Sequence, residues 1–130
     1  MLLPGAVGAG STNSSIETRQ VVWWATGVEA GSSFSRLKRD GHLTPKECRQ
    51  ALERLEHLRH LWNEIQPTEE VRHRAERLLS SHQLRAPDAL QLSAALIWCG
   101  NHPRGRVFIG ADNKLPDAAE GEGFTVIRLS

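Results

Sequence analysis

Short apolar runs alternate along the chain with longer segments in which apolar residues recur at helical spacing. The apolar runs predict three strands, at residues 21–25, 106–110 and 124–129, and Ile65 predicts a further brief extended segment. Between them the spacing predicts helices over 28–39, 45–63, Thr68 through Leu79, 87–99 and 113–120. Because helices separate the strands, we expect a parallel sheet with helices on its faces.

Two of the predicted helices carry especially clear signals. Thr44, Pro45 and Glu47 form a capping box with proline at the first helical position, which predicts where the second helix begins. The helix that Pro87 opens is apolar on nearly every face from Ala89 to Cys99, which predicts that it is buried between other elements.

Length and composition indicate one globular domain. The chain has 130 residues, of which 39% are hydrophobic and 24% charged. We expect residues 1–20 to be irregular and residues 21–130 to form the domain. The longest apolar run, Ala94–Cys99, is far shorter than the roughly 18 residues that cross a bilayer. Two cysteines without zinc-type spacing imply neither a disulfide nor a zinc site, so we expect a cytoplasmic protein.

Charge is unevenly distributed although the net charge is only +1. Basic residues cluster within 36–39 and 72–85, and acids are concentrated from residue 112 to residue 122. Such basic clusters are typical of solvated helix faces and also of nucleic-acid surfaces, so charge alone leaves both interpretations open.

Three acids occupy positions where a site is expected. Glu29 follows the first strand within one helical turn, Asp112 comes two residues after Gly110, and Asp88 lies in the first turn of the most apolar helix. Each also has an ordinary role, since an acid complements or caps a helix N-terminus. Ligands bind outside the carboxyl ends of parallel strands, where we expect these acids to converge. Gathered carboxylates need a divalent cation, and Mg²⁺ or Mn²⁺ with an activated water suits phosphodiester hydrolysis.

The histidines offer a weaker alternative metal site. Glu53, His57, His60 and Glu64 have spacings that align them on one helical face, but this face lies opposite the apolar stripe and we expect it to be solvated. His42, His82 and His102 lie in or beside loops, without acid or serine partners arranged as a catalytic triad.

Four stretches of sequence carry a family resemblance through their order and spacing. They are V-V-W-W-A-T-G-V-E at 21–29, L-R-A-P-D-A-L-Q-L-S-A-A-L at 84–96, V-F-I-G-A-D-N-K-L at 107–115 and G-F-T-V-I-R-L at 123–129. From Val21 to Leu129 the chain resembles the PIN domain, and within it the small bacterial toxin ribonucleases of the VapC type.

The resemblance implies an α/β fold, a PIN-like three-layer α/β/α arrangement with a short parallel sheet. It also implies that Glu29, Asp88 and Asp112 surround Mg²⁺ (or Mn²⁺) in the catalytic site, with Thr26 and Asn113 as lesser candidates. RNA is then the substrate, and a homodimer and an antitoxin protein are the implied partners. Among the basic residues, those that we consider for the RNA backbone are Arg85, Arg104 and Lys114, although solvated charge explains each equally well.

The resemblance departs at the beginning of the chain. The family opens with an apolar central strand that ends in an Asp, whereas residues 1–20 contain no Asp, and Glu17 is their only acid. We therefore expect this strand to be degenerate or missing. Three explanations are open: the true start lies upstream, the chain is a decayed relative, or another segment or subunit fills the gap.

These observations lead to a metal-dependent ribonuclease as the first functional hypothesis. A catalytically inactive PIN-like module that binds RNA or a partner protein is the alternative. A receiver-like or haloacid-dehalogenase-like phosphotransfer domain ranks below both, because such sites need an acid after the first strand.

Overall fold

The fold is α/β and consists of five short strands and five helices within the residues described. The computed structural model describes residues 7–8, 20–111 and 114–129. The strands are β1 (Val7–Gly8), β2 (Val21–Trp23), β3 (Asn63–Ile65), β4 (Val107–Gly110) and β5 (Thr125–Arg128). The helices are α1 (Thr26–Arg39), α2 (Pro45–Arg59), α3 (Glu69–Ser81), α4 (Ala86–Trp98) and α5 (Lys114–Glu122).

The chain divides into two compact units. One, here called the helical unit, comprises Ala25–Trp62 and contains α1 and α2; the other, the sheet unit, comprises Met1–Trp24 and Asn63–Ser130. The single domain that the sequence indicates over residues 21–130 stays a prediction.

The sheet has the strand order β3-β2-β1-β4-β5. β2 pairs with β3 in parallel, and β4 pairs with β5 in parallel, as the alternation of strands and helices predicts. β1 lies between β2 and β4 and is antiparallel to both. Because β2 and β4 each run opposite to β1, the four strands β2 to β5 all point in one direction.

β1 corrects two expectations about the start of the chain. The segment 1–20 is not irregular throughout, since Val7 pairs with both Val21 and Phe108 and so occupies the centre of the sheet. The sheet is therefore mixed and not purely parallel. The carboxyl end of β1 lies at the edge of the sheet opposite to the one where β2 and β4 end. The expectation of a degenerate or missing family strand stays a prediction.

The helix boundaries agree with the predicted ones at most ends. In α2, the Thr44 side chain accepts a hydrogen bond from the Glu47 amide. The Glu47 side chain in return accepts one from the Thr44 amide, so the capping box is confirmed. α2 ends at Arg59, four residues earlier than predicted, because residues 63–65 are taken into β3. α5 continues through Gly121, and the chain turns at Gly123, where φ is +113°.

The buried centre of the sheet unit is α4, as its apolar sequence predicts. Ala89 and every residue from Gln91 to Leu96 are buried. Ser93, a polar residue on this apolar helix, donates a 2.6 Å hydrogen bond to the carbonyl of Val71 in α3. The core around α4 is completed by residues of α3, β4 and α5 and by the residue before β5: Leu78, Phe108, Leu115, Ala118, Ala119 and Phe124. No described helix is both long and apolar enough to cross a membrane.

Leu92→Ala tests the burial of α4. Leu92 is fully buried, so truncation leaves a cavity and we expect a loss of about 2–5 kcal/mol in unfolding free energy. Urea denaturation measures the loss. Leu79→Ala is the control on α3, because Leu79 is 44% exposed and its truncation costs about 1 kcal/mol or less. Equal losses in the two variants would contradict this description of the core.

The capping box of α2 predicts a pH-dependent contribution to stability. The Thr44 backbone amide donates to Glu47 Oε1 at 2.9 Å, and this bond lowers the pKa of Glu47 below its ordinary value of 4.5. A lowered pKa gives stability that is present above pH 4.5 and is lost as the pH falls through the lower, folded-state value. In Glu47→Gln the capping oxygen does not titrate.

We therefore expect the urea midpoint of the wild-type chain to fall relative to that of Glu47→Gln as the pH is lowered from about 7 to about 3. A difference between the two midpoints that stays constant over this range would show that the Glu47 carboxylate adds nothing through its charge.

Candidate functional site

The candidate site lies at the edge of the sheet where the parallel strands end. β2 ends at Trp23 and β4 at Gly110, and because these strands point the same way, both ends lie at one edge. Ligand sites of open α/β sheets form outside this carboxyl edge. The residue after Gly110, Ala111, lines an open cleft in the sheet unit.

The cleft has a volume of about 830 Å³ and combines charged with apolar side chains. The end of α3, the loop into α4 and the start of α5 contribute its walls. Its lining residues are Leu79, His82, Gln83, Leu84, Arg85, Asp88, Ala111 and Lys114. Three of the candidates identified in the sequence, Asp88, Arg85 and Lys114, therefore share one cleft.

Asp88 is placed in the cleft by the way in which α4 begins. Arg85 is the N-cap residue with extended backbone angles, and Pro87 occupies the first turn, so α4 starts sharply. Asp88 follows in that first turn and is half-buried, while the next residue, Ala89, is fully buried. The carboxylate thus lies at the polar end of an apolar helix, close to the backbone N–H groups that favour negative charge.

Arg85 and Lys114 bring positive charge to the two sides of the cleft. Arg85 precedes α4, and Lys114 is the first residue of α5; both side chains are exposed. Within residues 20–111 and 114–129, Arg85 makes no ion pair. The cleft therefore has two cationic side chains and one carboxylate in the same lining.

Gly110 allows α5 to begin close to the end of β4. A Cβ atom at Gly110 would lie 2.9 Å from Pro116 Cγ, closer than carbon atoms approach in proteins. The absence of a side chain at Gly110 thus permits the contact with Pro116, two residues after Lys114 in α5. This is the packing reason for glycine in the G-A-D-N-K stretch.

His82 has an acidic partner that the sequence interpretation missed. Its Nε2 lies 2.7 Å from Glu122 Oε2, and Arg74 donates to Glu122 Oε1 at 3.1 Å. All three side chains are only 20–23% exposed. Sequence spacing did not indicate this acidic partner, because α5 brings residue 122 to the end of α3 across 40 positions of sequence. No local spacing signals this pair.

The other acidic candidates, Glu29 and Asp112, do not belong to the described part of the sheet unit. Glu29 is half-buried in the first turns of α1, in the helical unit, and its carbonyl accepts a 3.1 Å hydrogen bond from Ser33 Oγ. Asp112 and Asn113 lie outside the described residues. The convergence of Glu29, Asp88 and Asp112 on one ion stays a prediction.

Thr26 and Arg104 complete the set of candidates. Thr26 is buried at the start of α1, and its hydroxyl has no hydrogen-bond partner within the described part of the chain. Arg104 is exposed and precedes β4. It therefore lies toward the amino end of that strand, whereas Ala111 and the cleft follow the carboxyl end, so the structure does not bring Arg104 together with Arg85 and Lys114.

Three of the four residues of the alternative histidine site are exposed as expected, but the fourth, Glu64, is half-buried in a strand and does not share their helical face. Glu53, His57 and His60 are exposed in the helical unit, while Glu64 belongs to β3. Among residues 20–111 and 114–129, no three His, Cys, Asp or Glu side chains are grouped closely enough to hold a metal ion. Asp112 is not among these residues, so the three-acid site is not tested by that finding.

The chain matches no protein-family model and no curated protein sequence. The functional interpretation therefore depends on the four sequence stretches and on the composition of the cleft.

Glu122→Ala tests the cluster of Arg74, His82 and Glu122. Removal of the carboxylate leaves two largely buried partners without their acceptor, and we expect a loss of about 1–3 kcal/mol in unfolding free energy. Glu120→Ala is a matched control on α5, because Glu120 is 65% exposed and lies 3.7 Å from Arg128, a surface pair worth about 1 kcal/mol or less. If urea denaturation gives similar losses for both, the cluster does not stabilise the fold.

Proposed function

We propose that the chain is a metal-dependent ribonuclease of the PIN type that hydrolyses RNA phosphodiester bonds in this cleft. The observation that carries the proposal is the shared lining of Asp88, Arg85 and Lys114 at the carboxyl edge of the sheet. A carboxylate flanked by cations is a suitable arrangement for a ligand that contains both a metal ion and phosphate oxygens.

The side chains present fit a hard divalent ion. Asp88 supplies a carboxylate oxygen in a cleft open to water, and Mg²⁺ typically binds through one or two carboxylates while it keeps several waters. Glu29 and Asp112 are the further ligands that the resemblance implies. When bound, Mg²⁺ or Mn²⁺ supplies an activated water and neutralises charge on the phosphate.

The residues of the chain then have distinct roles in the proposal. Asp88 holds the ion at the first turn of α4, where burial of the following residues fixes the backbone. Arg85 and Lys114 contact phosphate oxygens of the RNA backbone from the two sides of the cleft, a contact that depends on charge and not on base identity. Homodimer formation and binding to an antitoxin protein are further parts of the proposal that come from the resemblance alone.

One observation favours a second candidate function, an RNA-binding module without turnover. The family's first acid follows the central strand, but β1 here is antiparallel to β2 and β4, so its carboxyl end lies at the other edge of the sheet. Among the described residues, β1 therefore brings no acid to the edge where the cleft lies. The same cleft without hydrolysis would still bind RNA through Arg85 and Lys114.

Asp88→Asn separates the two candidates. For a ribonuclease, we expect the wild-type chain to bind Mn²⁺ in calorimetry and to cleave single-stranded RNA when Mg²⁺ or Mn²⁺ is present. Because Asp88 is a direct ligand in the proposal, Asp88→Asn should lower metal affinity by more than the roughly tenfold that loss of an outer-shell partner costs, and it should abolish cleavage. Asp40→Asn, at the exposed end of α1, is the control and should match the wild type.

RNA binding or metal binding without cleavage would favour the module. A wild-type chain that binds neither Mn²⁺ nor RNA would reject both candidates. Cleavage that persists in Asp88→Asn would show that the active site lies elsewhere.

A further inference from the structure

His82 also lines the cleft, and its ring is held by a contact to Glu122, which does not line it. Its Nε2 is occupied by the 2.7 Å contact to Glu122, which Arg74 holds in turn at 3.1 Å. The ring lines the cleft that contains Arg85 and Lys114, and it also lines a smaller adjoining cleft with Lys114 and Asp117. The side chain remains 21% exposed.

The backbone around His82 restricts the position of the ring as well. His82 is the C-cap residue of α3, with extended angles, and its N–H donates to the Leu78 carbonyl at 2.9 Å. The α3 helix is itself anchored by Leu78, which is fully buried. The backbone of His82 and the Nε2 atom of its ring are both held in place, so the side chain loses little further freedom when it contacts a ligand. Binding therefore costs less conformational entropy than it would for a side chain without these contacts.

The chemistry of a fixed imidazolium fits an anion. A protonated histidine donates through both ring nitrogens, so with Nε2 directed to Glu122 its Nδ1–H is the donor left for a ligand oxygen. Arg85 and Lys114 supply further donors in the same lining. A phosphate group has several acceptor oxygens and accepts charge-assisted hydrogen bonds from such donors.

We propose that His82, Arg85 and Lys114 form a phosphate-binding subsite in which Glu122 and Arg74 act as positioning residues for the His82 ring. That the phosphate belongs to an RNA backbone rests on the proposed function. The subsite itself needs no metal ion, because its ligands are side-chain donors of this chain. His82 thereby becomes a substrate-contacting residue that sequence spacing does not indicate.

The experiment is a titration of the full chain with inorganic phosphate at constant ionic strength and constant pH, with EDTA present. NMR of the histidine rings and of the backbone amides follows binding. We expect the His82 ring signals to shift together with the Arg85 amide. The exposed His73, which is on α3 and lies 4.0 Å from Glu69, should not respond.

Variants then assign the contacts. His82→Gln should raise the Kd for phosphate about tenfold or more, as expected for loss of one charge-assisted hydrogen bond. His73→Gln, the matched control, should leave the Kd unchanged. Interpretation of these titrations must include the charged groups around the His82 ring. They are Glu122, Arg74, Lys114, Asp117, Arg85 and Asp88.

Either of two results would contradict the proposed subsite. One is a His82 ring that does not respond while amides elsewhere do. The other is a folded His82→Gln variant, with unchanged circular dichroism, that binds phosphate as the wild type does. Failure of RNA cleavage in Mg²⁺ alongside a responding His82 would reject the nuclease and leave an anion-binding subsite. Cleavage with an unresponsive His82 would reject the subsite alone.

Discussion

Burial of α4 is the constraint on which the candidate site depends. From residue 89 onward this helix is surrounded by apolar side chains on nearly every side, so it admits charged groups only where it begins. Desolvation of a charge within it would cost several kcal/mol. The helix therefore separates sharply into a buried body and a polar first turn, and Asp88 lies in that turn beside Arg85. The packing of this apolar helix thus restricts charged side chains to its first turn.

The direction of each strand also determines which residues reach the cleft, and its effect differs between β4 and β1. β4 brings Ala111, the residue after its last one, to the lining of the cleft, because it runs in the same direction as β2 and β5. β1 has the opposite direction and delivers its end to the other edge. A strand of two residues therefore fills the central position of the sheet, while its carboxyl end lies at the edge opposite to the cleft.

Much of the fold could be predicted from local sequence because its signals are local. The Thr44–Glu47 capping box, the apolar run of α4 and the short strands each depend on interactions within a few residues. Asp88, Arg85 and Lys114 could be chosen from the sequence because they follow or precede such elements directly. Their assembly into one cleft required the structure, since the two walls are formed by helices separated by a strand.

The features that sequence spacing could not predict depend on long-range pairing. The strand at Val7–Gly8 has no apolar run of useful length, and it forms because Val21 and Phe108 provide partners on both sides. The His82–Glu122 pair joins residues 40 positions apart. In both cases, the chain around each residue is compatible with several structures, and the distant partner decides between them.

The contact of Arg74 with Glu122, and of Glu122 with His82, has a consequence for how this protein varies in evolution. If a lineage replaces His82, the carboxylate of Glu122 loses one of its two partners. Once Glu122 is replaced as well, Arg74 loses its partner in turn. These positions are expected to change together across related sequences. Their joint substitution would leave an inherited trace of the cleft that includes Arg74 and Glu122, neither of which lines it.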